Sequence, residues 1–274
     1  ACKSFPAMAI GLLMDDGLLS ADDKLTDLFA ADLGPLARRL MKDLTLEHLL
    51  SMQTGNLFNE VNAMTEHDWI HGFCLSPALT DPRDKFQYNS LNTYMLAVLV
   101  TRITGKSLSD FLTERLFEPM GIGDFYWEVC PQGIEKGGWG LYLKPEDLAK
   151  LGQLVLDDGC WNGQRLLSAE FLDRATRVHS QVPESYGDYN YGWQMWVGRQ
   201  ENTVLFNGML GQNVLCFRDS GIIVVSHAGN SETFQQSNYF KLVSRFFGGT
   251  FPQSLPRSLT AERDLNRTLE ALCD

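Results

Sequence analysis

The sequence predicts a mixed α/β (α+β) fold in which helices pack against an antiparallel sheet, and three observations carry that expectation. Small and apolar side chains run almost unbroken over residues 5–14, the mark of a buried helix. From there to about residue 178 the punctuation is helical, with Ser or Thr caps, proline in first turns and glycine at ends. Beyond Tyr189 the pattern changes to short apolar runs joined by brief links, which is how consecutive antiparallel strands read.

In chain order, the first helix is expected to start at residues 1–3 and to stop at Asp15-Asp16-Gly17. Pro6 is tolerated because a first-turn N–H has no helical acceptor. Residues 18–29 read as a short connection, and Thr45 caps a helix that ends at Gly55. His48 on that helix is expected to face solvent or make a local hydrogen bond rather than act as a base. Residues 56–87, with Trp69, Phe73, Pro77 and Pro82, show little periodicity. A loop that long in a compact domain is functional or packed by its own aromatics, so it is expected to rim a pocket. A helix over 91–104 closes at Gly105, and Ser107 with Asp110 opens the next, ahead of Pro119. Pro145-Glu146-Asp147 starts a helix that runs to Leu156, Asn162-Gly163 makes a tight turn, and Ser168 caps a helix through Val178. Strands are expected over 191–196, 203–206, 212–217 and 222–227, the last two joined by Asp219-Ser220-Gly221. A helix over 232–246 would cover one face of the sheet, and an amphipathic segment over 261–272 would finish the chain.

Composition narrows the function. A chain of 274 residues can bury a substantial core. With 23 basic and 34 acidic residues its net charge is −11, which disfavours nucleic acid or an anionic membrane surface as a partner. No run of 18 apolar residues occurs, so no membrane span is expected. Cys2, Cys74, Cys130, Cys160, Cys216 and Cys273 are scattered without Cys-x-x-Cys spacing. They do not suggest zinc and read mostly as buried thiols, with one or two disulfides left open.

Two places carry candidate chemistry. Lys3 is the only charge before Asp15 and stands at the N-terminal end of the apolar helix. Burial and the positive end of the helix dipole both favour a neutral amine there, and a neutral amine is a base. The helix start also offers backbone N–H groups that suit an oxyanion. Tyr88 stands at a loop-to-helix corner with Ser90 two residues on. A phenol at such a corner either turns into a cleft or packs in the core with its hydroxyl on a backbone carbonyl. His227, at a strand end, reads as structural.

Lys3-Ser4-Phe5 before an apolar helix and Asp15-Asp16-Gly17 resembles the serine β-lactamase and penicillin-binding-protein-like hydrolases, in their class C-like esterase and amide-hydrolase branch. So does Phe-x-Tyr-x-Ser-x-x-x-Tyr-x-Leu from Phe86 to Leu96, with Ile103-Thr104-Gly105-Lys106-Ser107-Leu108 and Leu116-Phe117-Glu118-Pro119-Met120-Gly121-Ile122 after it. Gly137-Gly138-Trp139-Gly140-Leu141 fits the same family. The resemblance implies a nucleophilic serine immediately before Ala1, outside this chain, as the first residue of a Ser-x-x-Lys motif. Tyr88 and Ser90 then match the Tyr-x-Ser form of the second motif, a departure from the Tyr-x-Asn of β-lactamases. Phe206-Asn207-Gly208 takes the place of the third, Lys-Thr-Gly or His-x-Gly, with Phe206 where the cation belongs. Glycine there lets a substrate approach a strand edge, and the N–H of Met209 would be a second oxyanion donor.

The implied reaction is acyl transfer through a serine ester. The serine attacks, Lys3 takes its proton, Tyr88 relays a proton to the leaving group and then activates water, and Ser90 supports the network. Asn207, Gly208, Met209 and Trp193 are the expected substrate-binding residues, with Trp69, Trp193 and Trp196 able either to line an acyl pocket or to fill the core. The expected partner is a small-molecule or peptide-like ester or amide, with no metal or organic cofactor; the resemblance favours an extracytoplasmic location and leaves a cytoplasmic one open. Lactams and D-alanyl peptides carry a carboxylate that wants a cation, so Phe206 argues against a β-lactamase or D-Ala carboxypeptidase. The implied fold is an α/β sheet domain over 1–17 and 179–274, completed by N-terminal strands outside this chain. A mostly helical lobe over 18–178 interrupts it, and the active site lies in the cleft between them. A catalytically inactive relative that binds a ligand or partner in the same cleft, and a processed subunit whose missing segment stays attached, are the alternatives left open.

Overall fold

Helix α1 (Ser4–Asp15) is buried on every side from Ser4 to Leu13, as a nearly all-apolar sequence requires. It belongs to a computed structural model that describes residues 1–76, 85–199, 202–229, 238–247 and 258–272. The helix begins just inside the expected start, with Lys3 at its cap. α2 (Leu25–Leu28) falls within the stretch expected to be a plain connection, and α3 (Pro35–Met41) opens on a first-turn proline that the sequence reading passed over. One or two turns are too short to display a helical period. α4 (Leu46–Leu50) has its expected Thr45 cap, and His48 completes it by accepting the Thr45 backbone N–H on Nδ1 at 3.0 Å. His48 therefore has a local structural task.

The stretch expected to be a long loop contains two short helices, α5 (Glu60–Ala63) and α6 (Trp69–Leu75), capped by Asn59 and Asp68. Pro77 and Pro82 lie outside the described residues. α7 (Ser90–Thr104) is capped by Asn89 and ended by Gly105 in the left-handed region, φ 70°. α8 (Leu108–Leu112), capped by Ser107, continues into a π-helical turn over Thr113–Phe117. The hairpin of β1 (Phe125–Trp127) and β2 (Leu141–Leu143) leads to α9 (Pro145–Leu156). A second hairpin, β3 (Cys160–Trp161) with β4 (Gln164–Arg165), turns on Asn162 and Gly163, both at positive φ (48° and 82°), the paired left-handed turn expected of Asn-Gly. α10 (Ala169–Ala175) follows the Ser168 cap and stops three residues short of Val178.

β5 (Tyr189–Tyr191), β6 (Trp196–Gly198), β7 (Thr203–Gly208), β8 (Gln212–Phe217) and β9 (Ile222–His227) form one antiparallel sheet in chain order. The single strand expected over 191–196 is corrected: it is the β5–β6 hairpin. The chain reverses as Gly192 N–H donates to Met195 O at 2.8 Å and Gln194 takes φ 57°. The buried Gln194 side chain holds the reversal, donating to Leu49 O and Leu50 O (2.9 and 3.1 Å) and accepting from Thr93 Oγ1 (2.6 Å). A side chain at Gly192 would put its Cβ 2.2 Å from Ala175 O.

Strand alternation builds the two faces of the sheet. Val204, Phe206, Val214 and Cys216 join the main core, where Gly152 of α9 comes so close that a Cβ would lie 3.0 Å from Cys216 Sγ. Leu205, Leu215 and Phe217 join a second cluster with Phe240 and Val243 of α11 (Asn238–Phe247). The expected cover of one face is thus present, and positions 232–237 lie outside the described residues. α12 (Leu259–Leu272) forms as a helix, with Leu259, Leu265 and Leu269 exposed. Cys2, Cys74, Cys130, Cys160 and Cys216 are free thiols, three of them buried, and Cys273 lies outside the described residues. Among the described residues no helix is long and apolar enough to cross a membrane.

His179, just before β5, ties the sheet to the helices. Its Nδ1 meets Glu47 Oε1 at 2.9 Å and its Nε2 meets Arg174 O at 2.8 Å, so both ring nitrogens face acceptors. Hydrogen bonding from His179 holds the Glu47 carboxyl below its ordinary range, against the opposing effect of burial. A carboxyl lowered on folding stabilises the protein above its unfolded value of 4.5 and loses that contribution as pH falls through the folded value. The melting temperature should therefore drop as pH is lowered from about 5, and Glu47→Gln should flatten that drop. An unchanged acid limb in the variant would show that the pair contributes nothing.

Candidate active site

Lys3 Nζ donates to Gly138 O at 2.5 Å and lies 5.2 Å from the centre of the Tyr88 ring. The glycine explains the approach: a Cβ on Gly138 would fall 2.6 Å from Ser90 O, so only glycine lets this loop press against the start of α7 and aim a carbonyl at Lys3. Tyr88 is positioned from both sides of its loop. Its ring stacks on Trp196 (5.7 Å between centroids, 27°) and meets Tyr191 edge-on (6.2 Å, 87°). The next residue, Asn89, anchors the corner, donating from Nδ2 to Asn56 O and Phe58 O (both 2.9 Å) while its Oδ1 caps α7. Ser90, first in α7, lies on the wall of the same cleft.

Sequence reasoning missed Glu60. Its carboxylate accepts the Ser90 backbone N–H at 3.0 Å, at the positive end of α7, and faces the cleft that holds Lys3 and Tyr88. The only local signal was an acid after the Asn59 cap, which any helix start can carry. Its meeting with Ser90 depends on the tertiary fold.

The electrostatics correct one expectation, that Lys3 is a neutral base at rest. Burial is the strongest single influence on Lys3 and lowers its pKa, but Tyr88, Cys2 and Glu60 together raise it by more, and Lys3 ends above the ordinary lysine value. Burial pushes the Tyr88 phenol up as well, with Lys3 the main opposing influence. At neutral pH the pair is therefore an ammonium beside a phenol, and it titrates as a unit. Loss of one proton in the alkaline direction produces the state that can accept a proton from a nucleophile.

The strand edge closes the site. Ala1 N donates to Asn207 O at 2.7 Å, and a Cβ on Gly208 would lie 3.1 Å from Ala1 N and 2.6 Å from Gln212 O, so the backbone contact depends on glycine. Met209 follows, 55 % exposed on the cleft wall. Asn207 faces the cleft, whereas Phe206, 1 % exposed, points into the core on the opposite face of β7. The structure thus brings Lys3, Tyr88, Ser90, Asn207, Gly208 and Met209 onto one cleft of about 1960 Å³. Trp193 is corrected: it is fully buried, packed on Phe171 and His179 with the Arg174 guanidinium 4.7 Å from its ring, away from the cleft. The reversal at Gly192 turns it inward. Trp69 and Trp196 do line the cleft, and His227 reaches it, exposed, from the end of β9. Among the described residues no group of three His, Cys, Asp or Glu side chains could hold a metal ion.

The family model described as Beta-lactamase matches residues 1–237. The chain is 24 % identical over 241 residues to the 6-aminohexanoate-dimer hydrolase of Paenarthrobacter ureafaciens, covering 77 % of this chain and 60 % of that protein. It is 21 % identical over 234 residues to a penicillin-binding protein of Bacillus subtilis, covering 70 % of this chain and 50 % of the relative. The chain thus spans half to three fifths of the length of these curated relatives. In fold it is similar to a family VIII carboxylesterase, with a TM-score of 0.71 at 16 % identity, over 90 % of this chain and 80 % of the other.

The coupling of Lys3 to Tyr88 is open to direct test. Tyr88→Phe removes the largest upward influence on the lysine and leaves Cys2 and Glu60 alone against burial, so the amine should lose its proton more readily. Acylation of Lys3 by an activated ester at about pH 8, read by mass spectrometry, should be faster in the variant. An unchanged or slower rate would mean that the phenol does not govern the amine.

Proposed function

The chain belongs to the beta-lactamase family, and from that membership we propose that the protein is a serine hydrolase that cleaves an ester or amide through an acyl-enzyme. The observation that carries this reading is the convergence of Lys3 and Tyr88 on one cleft, beside the strand edge at Gly208. In this proposal the nucleophile is a serine immediately before Ala1, one helical turn ahead of Lys3. The one-proton form of the Lys3–Tyr88 pair takes the serine proton as the oxygen–acyl bond forms. The pair returns that proton to the leaving alcohol or amine as its bond to the acyl carbon breaks. Water then attacks the serine ester as the pair takes its proton, and the pair returns that proton to the serine oxygen as the acyl–oxygen bond breaks, releasing the acid and free serine. The N–H groups of the serine and Met209 stabilise the oxyanion, and Ser90 supports the network with Glu60 behind it.

Asn207 and the aromatic walls at Trp69 and Trp196 favour a neutral substrate. At position 206, where the resemblance puts the cation that meets a substrate carboxylate, the side chain is a buried Phe turned to the other face, so a carboxylate at that place lacks its usual partner. This supports an esterase or amide hydrolase over a β-lactamase or D-Ala carboxypeptidase. Similarity to a 6-aminohexanoate-dimer hydrolase and to a carboxylesterase is compatible with that preference.

The test uses the full-length protein that carries this chain. A fluorophosphonate probe should label the residue preceding Ala1, a chromogenic cephalosporin should not be turned over, and Lys3→Ala should lower ester turnover about 100- to 10,000-fold. Rapid lactam turnover would defeat the reasoning from Phe206. Absence of labelling would favour a non-catalytic relative that only binds in the cleft.

A further inference from the structure

Glu60 carries a charge that its local task does not require. As the first residue of α5 it accepts the Ser90 backbone N–H on Oε1 at 3.0 Å, a donor left open at the start of α7, while Asn89 Oδ1 takes the N–H of Leu91. A neutral amide oxygen would accept that N–H equally well. Among the described residues the second carboxylate oxygen has no hydrogen bond and no cation is in ion-pair contact with it. Lys136, on the wall of the same cleft, is paired with Glu128 at 2.5 Å, and Lys3 is held by Gly138 O and Tyr88. Glu60 is thus half-buried with one side open to the cleft, beside the reacting pair. Two ties fix that proximity: Ser90 stands two residues after Tyr88, and its carbonyl packs against Gly138, whose own oxygen holds Lys3. The other cations that reach the cleft, Arg199, Lys241 and Arg245, come from the end of β6 and from α11, on the sheet side.

We propose that the open side of the Glu60 carboxylate is a subsite for an ammonium group carried by the ester or amide substrate. The inference rests on the hydrolase reading above and adds to it a substrate class. A substrate that enters the cleft strips water from Glu60, and an ammonium replaces that water with a counter-charge. A neutral group of the same shape leaves the carboxylate desolvated and unpaired, which is costly. The net charge of −11 draws cations toward the protein, and Glu60 gives them a place beside the reacting groups. The neutral preference at the β7 edge is untouched, because Glu60 belongs to α5. Occupation has a second effect. A bound cation offsets the Glu60 charge that helps to keep Lys3 protonated, so the pair reaches its one-proton form more readily with such a substrate in place.

The test uses the full-length protein and two pairs of esters, each matching a quaternary ammonium against its uncharged tert-butyl isostere. On the leaving side the pair is butyrylthiocholine and 3,3-dimethylbutyl thiobutyrate. On the acyl side it is the 4-nitrophenyl esters of 4-(trimethylammonio)butyric acid and 5,5-dimethylhexanoic acid. In at least one pair wild type should favour the cation in kcat/KM by about tenfold, more than an exposed ion pair supplies and less than a fully buried one. Glu60→Gln keeps an acceptor for the Ser90 N–H and should bring that ratio to within about twofold, which a purely structural role for Glu60 would not do. Any effect of the substitution on the resting pair divides out of the ratio, and the wild-type ratio is informative whether or not the variant folds. Ratios near one in both pairs for wild type, or a preference unchanged in Glu60→Gln, overturn the inference and leave the hydrolase reading standing. Fluorophosphonate labelling without turnover of any of the four esters does the same. No turnover and no labelling overturns both.

Discussion

An ammonium held at the half-buried end of an apolar helix is the constraint to which the rest of the structure answers. A charge withdrawn from water is tolerated only where partners replace its hydration. Lys3 has three, and each comes from a different part of the chain: Gly138 O from the loop before β2, the Tyr88 phenol from the corner before α7, and the Glu60 charge from α5. Each partner needs its own support. Gly138 must lack a side chain to pass Ser90, Tyr88 is wedged between Trp196 and Tyr191 above the Asn89 anchor, and Glu60 is bound to the first N–H of α7. Packing, glycine placement and capping thus converge on one proton-exchanging pair.

The fold was legible where local chemistry decides local structure. Thr45, Ser107, Ser168, Gly105 and Asn162-Gly163 act where their side chains or φ preferences said they would, and β8 and β9 occupy the expected residues. The misreadings have two physical origins: non-local contacts, and helices too short to show a period. Residues 191–196 have the composition of a strand, but Gln194 exchanges hydrogen bonds with Leu49, Leu50 and Thr93 and reverses the chain. α2, α5 and α6 are too short to carry a period.

Legibility of the site followed the same division. Lys3, Tyr88, Ser90 and the 207–209 segment could be found because their spacing resembles a known family, and the structure brings them to one cleft. Trp193 could not be distinguished from Trp196 by residue type, and the turn sends one inward and leaves the other on the wall. Glu60 had no signal of its own. The resting charge of Lys3 was misjudged because burial and the helix dipole were weighed without the partners that only the fold supplies.

A double-mutant cycle on kcat/KM for ester hydrolysis, with Lys3→Ala, Tyr88→Phe and both together in the full-length protein, tests most directly whether the two side chains form one proton-exchanging unit. Groups that act as a unit are strongly non-additive, so the double variant should be no more than about threefold slower than the worse single variant. Losses that simply multiply would mean that the amine and the phenol act separately, and the mechanism built on their encounter would be wrong.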